Sequence, residues 1–208
     1  MDKDKIIKYL YELDNKLGER GLSGSINIYG GSCLALVYDL RGSTKDIDAI
    51  FSPKNEMYKI AEEIAIENNL PSDWLNDGVK GFVTSSMEYK EYDIANFKNL
   101  KIFYPTAETM LAMKLISMRS GSSDIDDIKG LIKIVGVNNT EDLISIIEKY
   151  YSPKIISLKT YYFIDEMFAN EVDEKESLLD ELKELKKEAE RKKDNYKTDR
   201  GEDNEIER

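Results

Sequence analysis

The sequence of 208 residues contains no histidine and a single cysteine, Cys33. Without an imidazole, the chain lacks the usual general base, the histidine of a catalytic triad and a common metal ligand. Much of ordinary hydrolase chemistry is therefore excluded. One cysteine cannot form a disulfide within the chain, which favours a reducing compartment.

The sequence also lacks a long apolar run and an excess of positive charge. No segment approaches the roughly 20 apolar residues of a membrane span, and residues 1–18 form a charged amphipathic pattern. We expect a soluble cytoplasmic protein with no membrane partner. The formal net charge of -11 argues against general affinity for nucleic acid, although a local basic groove can coexist with an acidic whole.

The hydrophobic patterns predict an α+β fold, in which a mixed β-sheet flanked by helices is followed by a helical C-terminal part. Strands are expected at residues 25–29, 45–51, 80–84, 100–105 and, less clearly, 87–95. Helices are expected at residues 3–18, 33–40, 55–69, 106–119, 123–135, 139–151 and 152–168. Ser123, Asn139 and Ser152 with Pro153 mark the starts of the last three helices.

Three regions follow from this order of patterns. We expect an α/β core at residues 1–104 and a helical part at residues 105–170 that completes the cleft. The composition then changes to Glu, Lys and Asp. Residues 171–208 are expected to form a charged helix with a disordered tail, and the helix is either a solvated element or a docking site for a partner.

Two carboxylates stand one residue apart in the strand-like segment KDIDAIF. Side chains alternate along a strand, so Asp46 and Asp48 lie on one face while Ile47 and Ala49 lie on the other. The strand rise places their Cα atoms about 6.5 to 7 Å apart. Mg²⁺ prefers one or two protein carboxylates completed by phosphate and water, so the pair suits a metal site.

A glycine turn precedes these acids. Gly30, Gly31 and Ser32 follow a predicted strand and open a helix, where backbone amides attract phosphate and small residues let it approach the chain. The chain returns through RGSTK, which begins at Arg41 and ends just before Asp46. Phosphate and metal would therefore meet in one pocket.

The stretch YGGSCLALVYDLRGSTKDIDAIF resembles the nucleotidyltransferases of DNA-polymerase-β type, and especially the AbiEii-type enzymes of abortive-infection and toxin-antitoxin systems. The later segment MLAMKLISMRSGSSDIDDI is similar to a second block of that family. The resemblance covers residues 25–135. It implies a nucleotidyltransferase fold, Mg²⁺ or Mn²⁺ as cofactor, and transfer of a nucleoside monophosphate from a nucleoside triphosphate, with pyrophosphate leaving.

The resemblance also implies roles for individual residues. Asp46 and Asp48 would bind the metal, and Lys114 would act with them as a catalytic residue. The nucleotide-binding residues would be Gly30, Gly31, Ser32, Arg41, Thr44, Lys45, Asp124 and Asp127. The superfamily adds a third carboxylate on a neighbouring strand, for which Asp93 is preferred over Glu91 as the metal ligand.

Several of these residues also have structural interpretations. Lys114 lies in an apolar helix, where its side chain reaches solvent along the edge of the core. Asp124, Asp126 and Asp127 favour a helix N-terminus through the dipole. Arg41, Thr44 and Lys45 fit a solvated loop equally well. Trp74 either fills the core or belongs to a loop whose Asn76 and Asp77 border the cleft.

Three hypotheses remain open from the sequence. The first is a Mg²⁺-dependent nucleotidyltransferase acting on RNA, most plausibly tRNA, or on a protein, as a toxin of a bacterial defence or toxin-antitoxin system. The second is a catalytically silent binding or antitoxin module that docks a cognate partner through the C-terminal helix. The third is a small-molecule, antibiotic-type nucleotidyltransferase, since an acidic surface suits cationic acceptors.

Overall fold

The structure is a computed structural model, and it describes residues 1–93, 96–118, 122–169 and 183. Residues 1–161 form one compact unit, and residues 162–208 form a second, of which 162–169 and 183 are described. The helices are α1 (Lys3–Glu19), α2 (Gly30–Leu36), α3 (Lys54–Asn68), α4 (Ala107–Ser117), α5 (Ser122–Val135), α6 (Thr140–Tyr150) and α7 (158–169). The strands are β1 (Gly24–Ile28), β2 (Ile47–Ser52), β3 (Leu75–Asn76), β4 (Tyr89–Glu91) and β5 (Leu100–Pro105).

The expected fold class is confirmed, because the five strands form one mixed sheet flanked by helices, with a helical C-terminal part. The strand order is β3-β2-β1-β5-β4. β1 runs antiparallel to β2 and parallel to β5, while β3 runs parallel to β2. This order places β2 between β1 and β3, and it places β4 at the far edge of the sheet.

The two faces of β2 differ as the alternating sequence predicts. Ile47, Ala49 and Phe51 are buried, whereas Asp48 and Ile50 are partly exposed. On the buried side, α1 packs on α3 through a row of apolar side chains at helical spacing. The members of α1 in this row are Ile6, Leu10, Leu13 and Leu17.

The structure corrects several expected elements. Residues 78–82 form a 3₁₀ helix, so the strand predicted at 80–84 is wrong. The helix predicted at 152–168 is interrupted, because a short 3₁₀ turn at Pro153–Ile155 precedes α7 and Ser152 makes no side-chain cap. Helix α2 begins at Gly30 rather than at Cys33, so the glycines belong to its first turn.

Other expectations are confirmed or stay predictions. Asn139 caps α6 by accepting a hydrogen bond from the backbone N–H of Asp142 at 2.8 Å. Across residues 1–93, 96–118 and 122–169, no helix is long and apolar enough to cross a membrane. The division between residues 104 and 105 stays a prediction. The charged helix and tail predicted at 171–208 lie outside the described residues, except for Lys183.

Candidate active site

The two carboxylates lie at the start of β2, on its half-exposed face. Asp46 immediately precedes the strand and Asp48 lies within it, and both side chains are partly exposed. The backbone of Ile47 is fixed between them, because its N–H donates to the Trp74 carbonyl at 2.6 Å. The sheet therefore holds the pair at the start of β2, where solvent can reach both side chains.

Gly30 brings the turn between β1 and α2 against Asp48. Its φ of +58° lies in the left-handed region that favours glycine. A Cβ added at Gly30 would lie 2.6 Å from Asp48 Oδ2, so any larger residue would displace this carboxylate. The N–H of Tyr29 donates to the Asp48 carbonyl at 2.8 Å. Turn and carboxylate thus form one unit, as the sequence predicted.

Gly31 is the second point of close approach. A Cβ added there would lie 2.7 Å from Thr44 Oγ1 and 3.0 Å from Arg41 Nη1. The loop before β2 therefore folds back onto the turn and brings a guanidinium and a hydroxyl to it. Ser32 is buried, and its hydroxyl donates to the Tyr29 carbonyl at 2.8 Å. The predicted contact of Ser32 with a phosphate stays a prediction.

Arg41 and Lys114 meet Asp124 and Asp127 in a four-residue ion cluster. Arg41 donates from Nε and Nη2 to the two carboxylate oxygens of Asp127 at 2.8 and 2.6 Å. Lys114 Nζ lies 2.8 Å from Asp127 Oδ2 and 2.9 Å from Asp124 Oδ1. Asp127 is only 2% exposed, and its carboxylate pairs with both cations. The predicted role of Asp127 as a nucleotide-binding residue stays a prediction.

The cluster joins three separate parts of the chain. Arg41 belongs to the loop before β2, Lys114 to α4, and both aspartates to the first half of α5. Helix α5 packs closely against the segment that precedes Arg41, because Gly130 has no side chain and leaves room for Leu40. A Cβ added at Gly130 would lie 2.6 Å from Leu40 Cδ2. The hydrogen bonds to Asp127 raise the pKa of the Arg41 guanidinium, which therefore stays charged.

Two predicted residues lie outside this assembly. Asp93 lines a groove of about 460 Å³ with Ser23, Gly24 and Ser52, at the end of the sheet opposite Asp48. The strand that precedes it, β4, is also separated from β2 by β1 and β5. The structure therefore does not bring Asp93 to the acid pair. Lys45 is exposed, and it makes no hydrogen bond or ion pair with the residues that the structure describes.

Asn76 is the residue at this site that the sequence analysis left undecided. It lies in β3, paired in register with Asp48, and its Nδ2 donates to Asp46 Oδ2 at 3.2 Å. Trp74, two residues earlier, is buried and donates to the Ala61 carbonyl at 2.9 Å. Both interpretations of this segment therefore hold, because the tryptophan fills the core and the asparagine borders the site. β3 has only two residues, so its sequence shows no alternation of apolar and polar side chains from which the position of Asn76 could be predicted.

The donor set suits a hard divalent cation. Asp46 and Asp48 offer carboxylate oxygens, which are the ligands that such a cation prefers. Because residue 30 is a glycine, the space beside the Asp48 carboxylate is not filled by a Cβ atom. Among the residues that the structure describes, no group of three or more histidine, cysteine or acidic side chains could hold a metal. Asp46 and Asp48 would therefore supply two carboxylates to a cation, and other oxygen ligands, such as phosphate or water, would complete its coordination.

A glycine turn packed on a carboxylate pair, in a mixed sheet backed by helices, defines a nucleotidyltransferase-like domain. The chain belongs to the family described as a nucleotidyltransferase of unknown function (DUF6036), which matches residues 6–171. No curated protein and no solved structure matches the chain. The finer resemblance to AbiEii-type enzymes stays a prediction.

Proposed function

We propose that this protein is a Mg²⁺-dependent nucleotidyltransferase that transfers a nucleoside monophosphate from a nucleoside triphosphate to RNA, in particular tRNA, or to a protein. The observation that carries the proposal is the packing of Gly30 and Gly31 against Asp48, Thr44 and Arg41. Carboxylates for a cation and a guanidinium for phosphate thereby border one turn. Membership of the family supports the reaction class.

In this proposal the acidic residues bind the metal ion and the basic residues bind the triphosphate. Asp46 and Asp48 would hold the cation, which supplies charge stabilisation to the transferring phosphoryl group. Arg41 and Lys114 would attract the triphosphate, and Asp127 keeps both cations in place. An acceptor hydroxyl oxygen forms a bond to the α-phosphorus while the bond to the bridging oxygen breaks. Pyrophosphate leaves with that electron pair, and the hydroxyl proton passes to solvent.

The test is transfer of label from α-labelled nucleoside triphosphates to tRNA or to protein in a cell extract with Mg²⁺. Asp46→Ala combined with Asp48→Ala should abolish transfer without lowering the melting temperature by more than a few degrees. Asp126→Ala is the matched control, since this aspartate is exposed on α5 beside the cluster. Equal transfer by the double variant and the wild type would refute the proposal.

A silent binding module is the second candidate, and the observation that favours it is Asn76 beside the acid pair. Such a module would bind a nucleoside triphosphate and Mg²⁺ without turnover. It would act in a toxin-antitoxin pair through a partner docked on residues 171–208. Deleting these residues should then abolish binding of the partner protein, and binding of that partner by the truncated chain would remove this candidate.

A further inference from the structure

The strand beside the acid pair carries an amide rather than a carboxylate. β3 runs parallel to β2, with Ile47 paired to Leu75 and Asp48 paired to Asn76. Asn76 therefore occupies the position on the neighbouring strand that lies level with the acids. A third carboxylate was expected at Asp93, which follows β4, but β3 and β1 are the strands that pair with β2.

The hydrogen bonds of Asn76 fix which end of its amide faces the acids. Its Oδ1 accepts the backbone N–H of Gly78 at 2.9 Å, and its Nδ2 donates to Asp46 Oδ2 at 3.2 Å. Only an amide satisfies both contacts, because an ionised carboxylate has no hydrogen to donate. Among the described residues no donor bonds Asp46 Oδ1. Asn76 thus orients the carboxylate while occupying only one of its oxygens.

The charge of this residue decides how many cations the site can hold. A third carboxylate within hydrogen-bond distance of Asp46 would repel it unless a further cation bound between them. The number of charged ligands tunes the affinity of such sites, so asparagine and aspartate at this position predict different cation binding.

We propose that Asn76 is a positioning residue that orients Asp46 and limits the Asp46 and Asp48 pair to one tightly bound divalent cation in the absence of nucleotide. This inference rests on the proposed function, since it concerns the same acid pair.

The test is a titration of the full chain with Mn²⁺ alone, in which free Mn²⁺ is measured by electron paramagnetic resonance. The wild type should bind one ion per chain at the acid pair. Asn76→Asp should add a second ion or tighten the first about tenfold, because the added charge strengthens the ligand set. Asn76→Ala should weaken binding about tenfold, as expected for loss of a residue that orients a metal ligand.

Two comparisons keep the experiment decisive. Asn138→Asp makes the same chemical change in the exposed loop after α5, and it should bind Mn²⁺ as the wild type does. Melting temperatures report whether each variant folds, and Asn76→Ala tests the inference without added charge if Asn76→Asp unfolds. A purely structural role would change the melting temperature but not the affinity of the folded protein for Mn²⁺.

The outcomes separate this inference from the proposed function. If both Asn76 variants bind Mn²⁺ like the wild type, while Asp46→Ala with Asp48→Ala abolishes binding, the role of Asn76 is overturned and the metal site survives. If the double aspartate variant binds Mn²⁺ like the wild type, the metal site fails, and the inference fails with it. Two ions bound to the wild type without nucleotide would overturn the inference alone.

Discussion

At the scale of single residues, the site depends on the absence of a side chain at Gly30 and Gly31. Gly31 has a backbone that other residues can adopt, so its requirement is steric. Thr44 and Arg41 fill the space where a Cβ would point. Phosphate can approach a glycine backbone closely, and under the proposed function the two side chains would contact it from one side.

Gly31→Ala should weaken binding of a nucleoside triphosphate at least about tenfold, equivalent to about 1.4 kcal/mol. The added methyl group would lie 2.7 Å from Thr44 Oγ1 and would push the loop and Arg41 away from the turn. Isothermal titration with Mg²⁺ and a non-hydrolysable triphosphate measures the change. Gly42→Ala is the control, since a Cβ there meets nothing within 4 Å. Equal losses in the two variants would show that the effect is not local.

The carboxyl group of Asp77, next to Asn76, should make the stability of the fold depend on pH. Its hydrogen bond from Lys54, 2.6 Å long, is the largest cause that lowers the pKa of this carboxyl from 3.8 to about 2. A lowered pKa in the folded state stabilises the protein above the unfolded pKa, and this contribution is lost as the pH falls towards the folded pKa. The carboxylate of Asp77 therefore stabilises the fold at neutral pH but not near pH 2.

Asp77→Asn should lower the melting temperature at pH 6, and the difference from the wild type should shrink between about pH 4 and pH 2. Thermal unfolding followed by circular dichroism across this range measures it. Asp73→Asn, at an exposed position in the same segment, is the control and should show a smaller pH-dependent difference. A difference that stays constant with pH would contradict the assignment.

At the scale of elements, a single buried carboxylate ties α1 to the sheet. Asp14 is 3% exposed, and its Oδ1 accepts three backbone N–H groups at the start of β5. The donors are Lys98 at 2.9 Å, Asn99 at 2.6 Å and Leu100 at 2.8 Å. The helix therefore fixes where β5 begins, and through β5 it fixes the register of β1.

Asp14→Ala should lower the free energy of unfolding by about 2–4 kcal/mol, since buried N–H groups lose a charged acceptor. Urea denaturation measures the loss. Asp4→Ala in the exposed first turn of α1 is the control, and it should cost less than about 1 kcal/mol. Similar losses in both variants would mean that the three hydrogen bonds contribute little.

The ion cluster joins α4, α5 and the loop before β2. Removing Asp127 would leave the positive charges of Arg41 and Lys114 close together without the buried carboxylate that both of them contact. Removing one partner of a buried ion pair lowers the stability of the fold more than replacing both partners with apolar residues. Stability and the position of Arg41 at the turn are therefore coupled through one side chain.

Asp127→Ala should destabilise the protein by about 2–4 kcal/mol. In a double-mutant cycle, Arg41→Ala should couple to it by about 1–3 kcal/mol, measured by chemical denaturation. Lys149→Ala is the reference, since this exposed cation pairs with Glu88 and Glu108 on the surface and should cost less than about 1 kcal/mol. If the losses in the free energy of unfolding caused by Arg41→Ala and Asp127→Ala simply add in the double variant, the two side chains do not stabilise each other directly.

At the scale of the whole molecule, binding of substrate should stabilise the fold. A ligand at about 100 times its dissociation constant adds about 2.7 kcal/mol, which raises the melting temperature of a chain of this size by roughly 5–10 °C. We expect this shift with Mg²⁺ and a nucleoside triphosphate together. Scanning fluorimetry measures it, and EDTA should reverse it.

The variant with both Asp46→Ala and Asp48→Ala provides the control for this shift. It should keep its fold but lose most of the stabilisation by triphosphate and Mg²⁺. A nucleoside without phosphates should leave the melting temperature of the wild type unchanged, because the site selects charge. Equal shifts for nucleoside and triphosphate would place binding elsewhere on the molecule.

Local patterns predicted much of this protein. The alternation in KDIDAIF gave the half-exposed face of Asp48, and the helical spacing gave α1, α3 and α6 with small errors at their ends. The glycine turn and the acids were close enough along the chain for their meeting to be expected. These features depend on neighbouring residues, whose preferences the sequence displays directly.

The errors arose where distant residues decide the structure. Residues 80–84 were predicted to form a strand because of Phe82 and Val83. In the structure residues 78–82 form a 3₁₀ helix instead, and they belong to none of the five strands described in the sheet. The resemblance implied a third carboxylate on a neighbouring strand, for which Asp93 was preferred, yet β1 and β5 separate β4 from β2.

The sequence alone therefore determined the acid pair, the glycine turn and the class of fold, since each depends on residues close together in the chain. Only the tertiary structure decided that β3 adjoins β2, that Asn76 lies level with Asp48, and that Asp127 holds Arg41 and Lys114. The physical reason is that strand order and helix packing bring together side chains 30 or more residues apart, such as Asp46 and Asn76, and local preferences carry no information about such pairs.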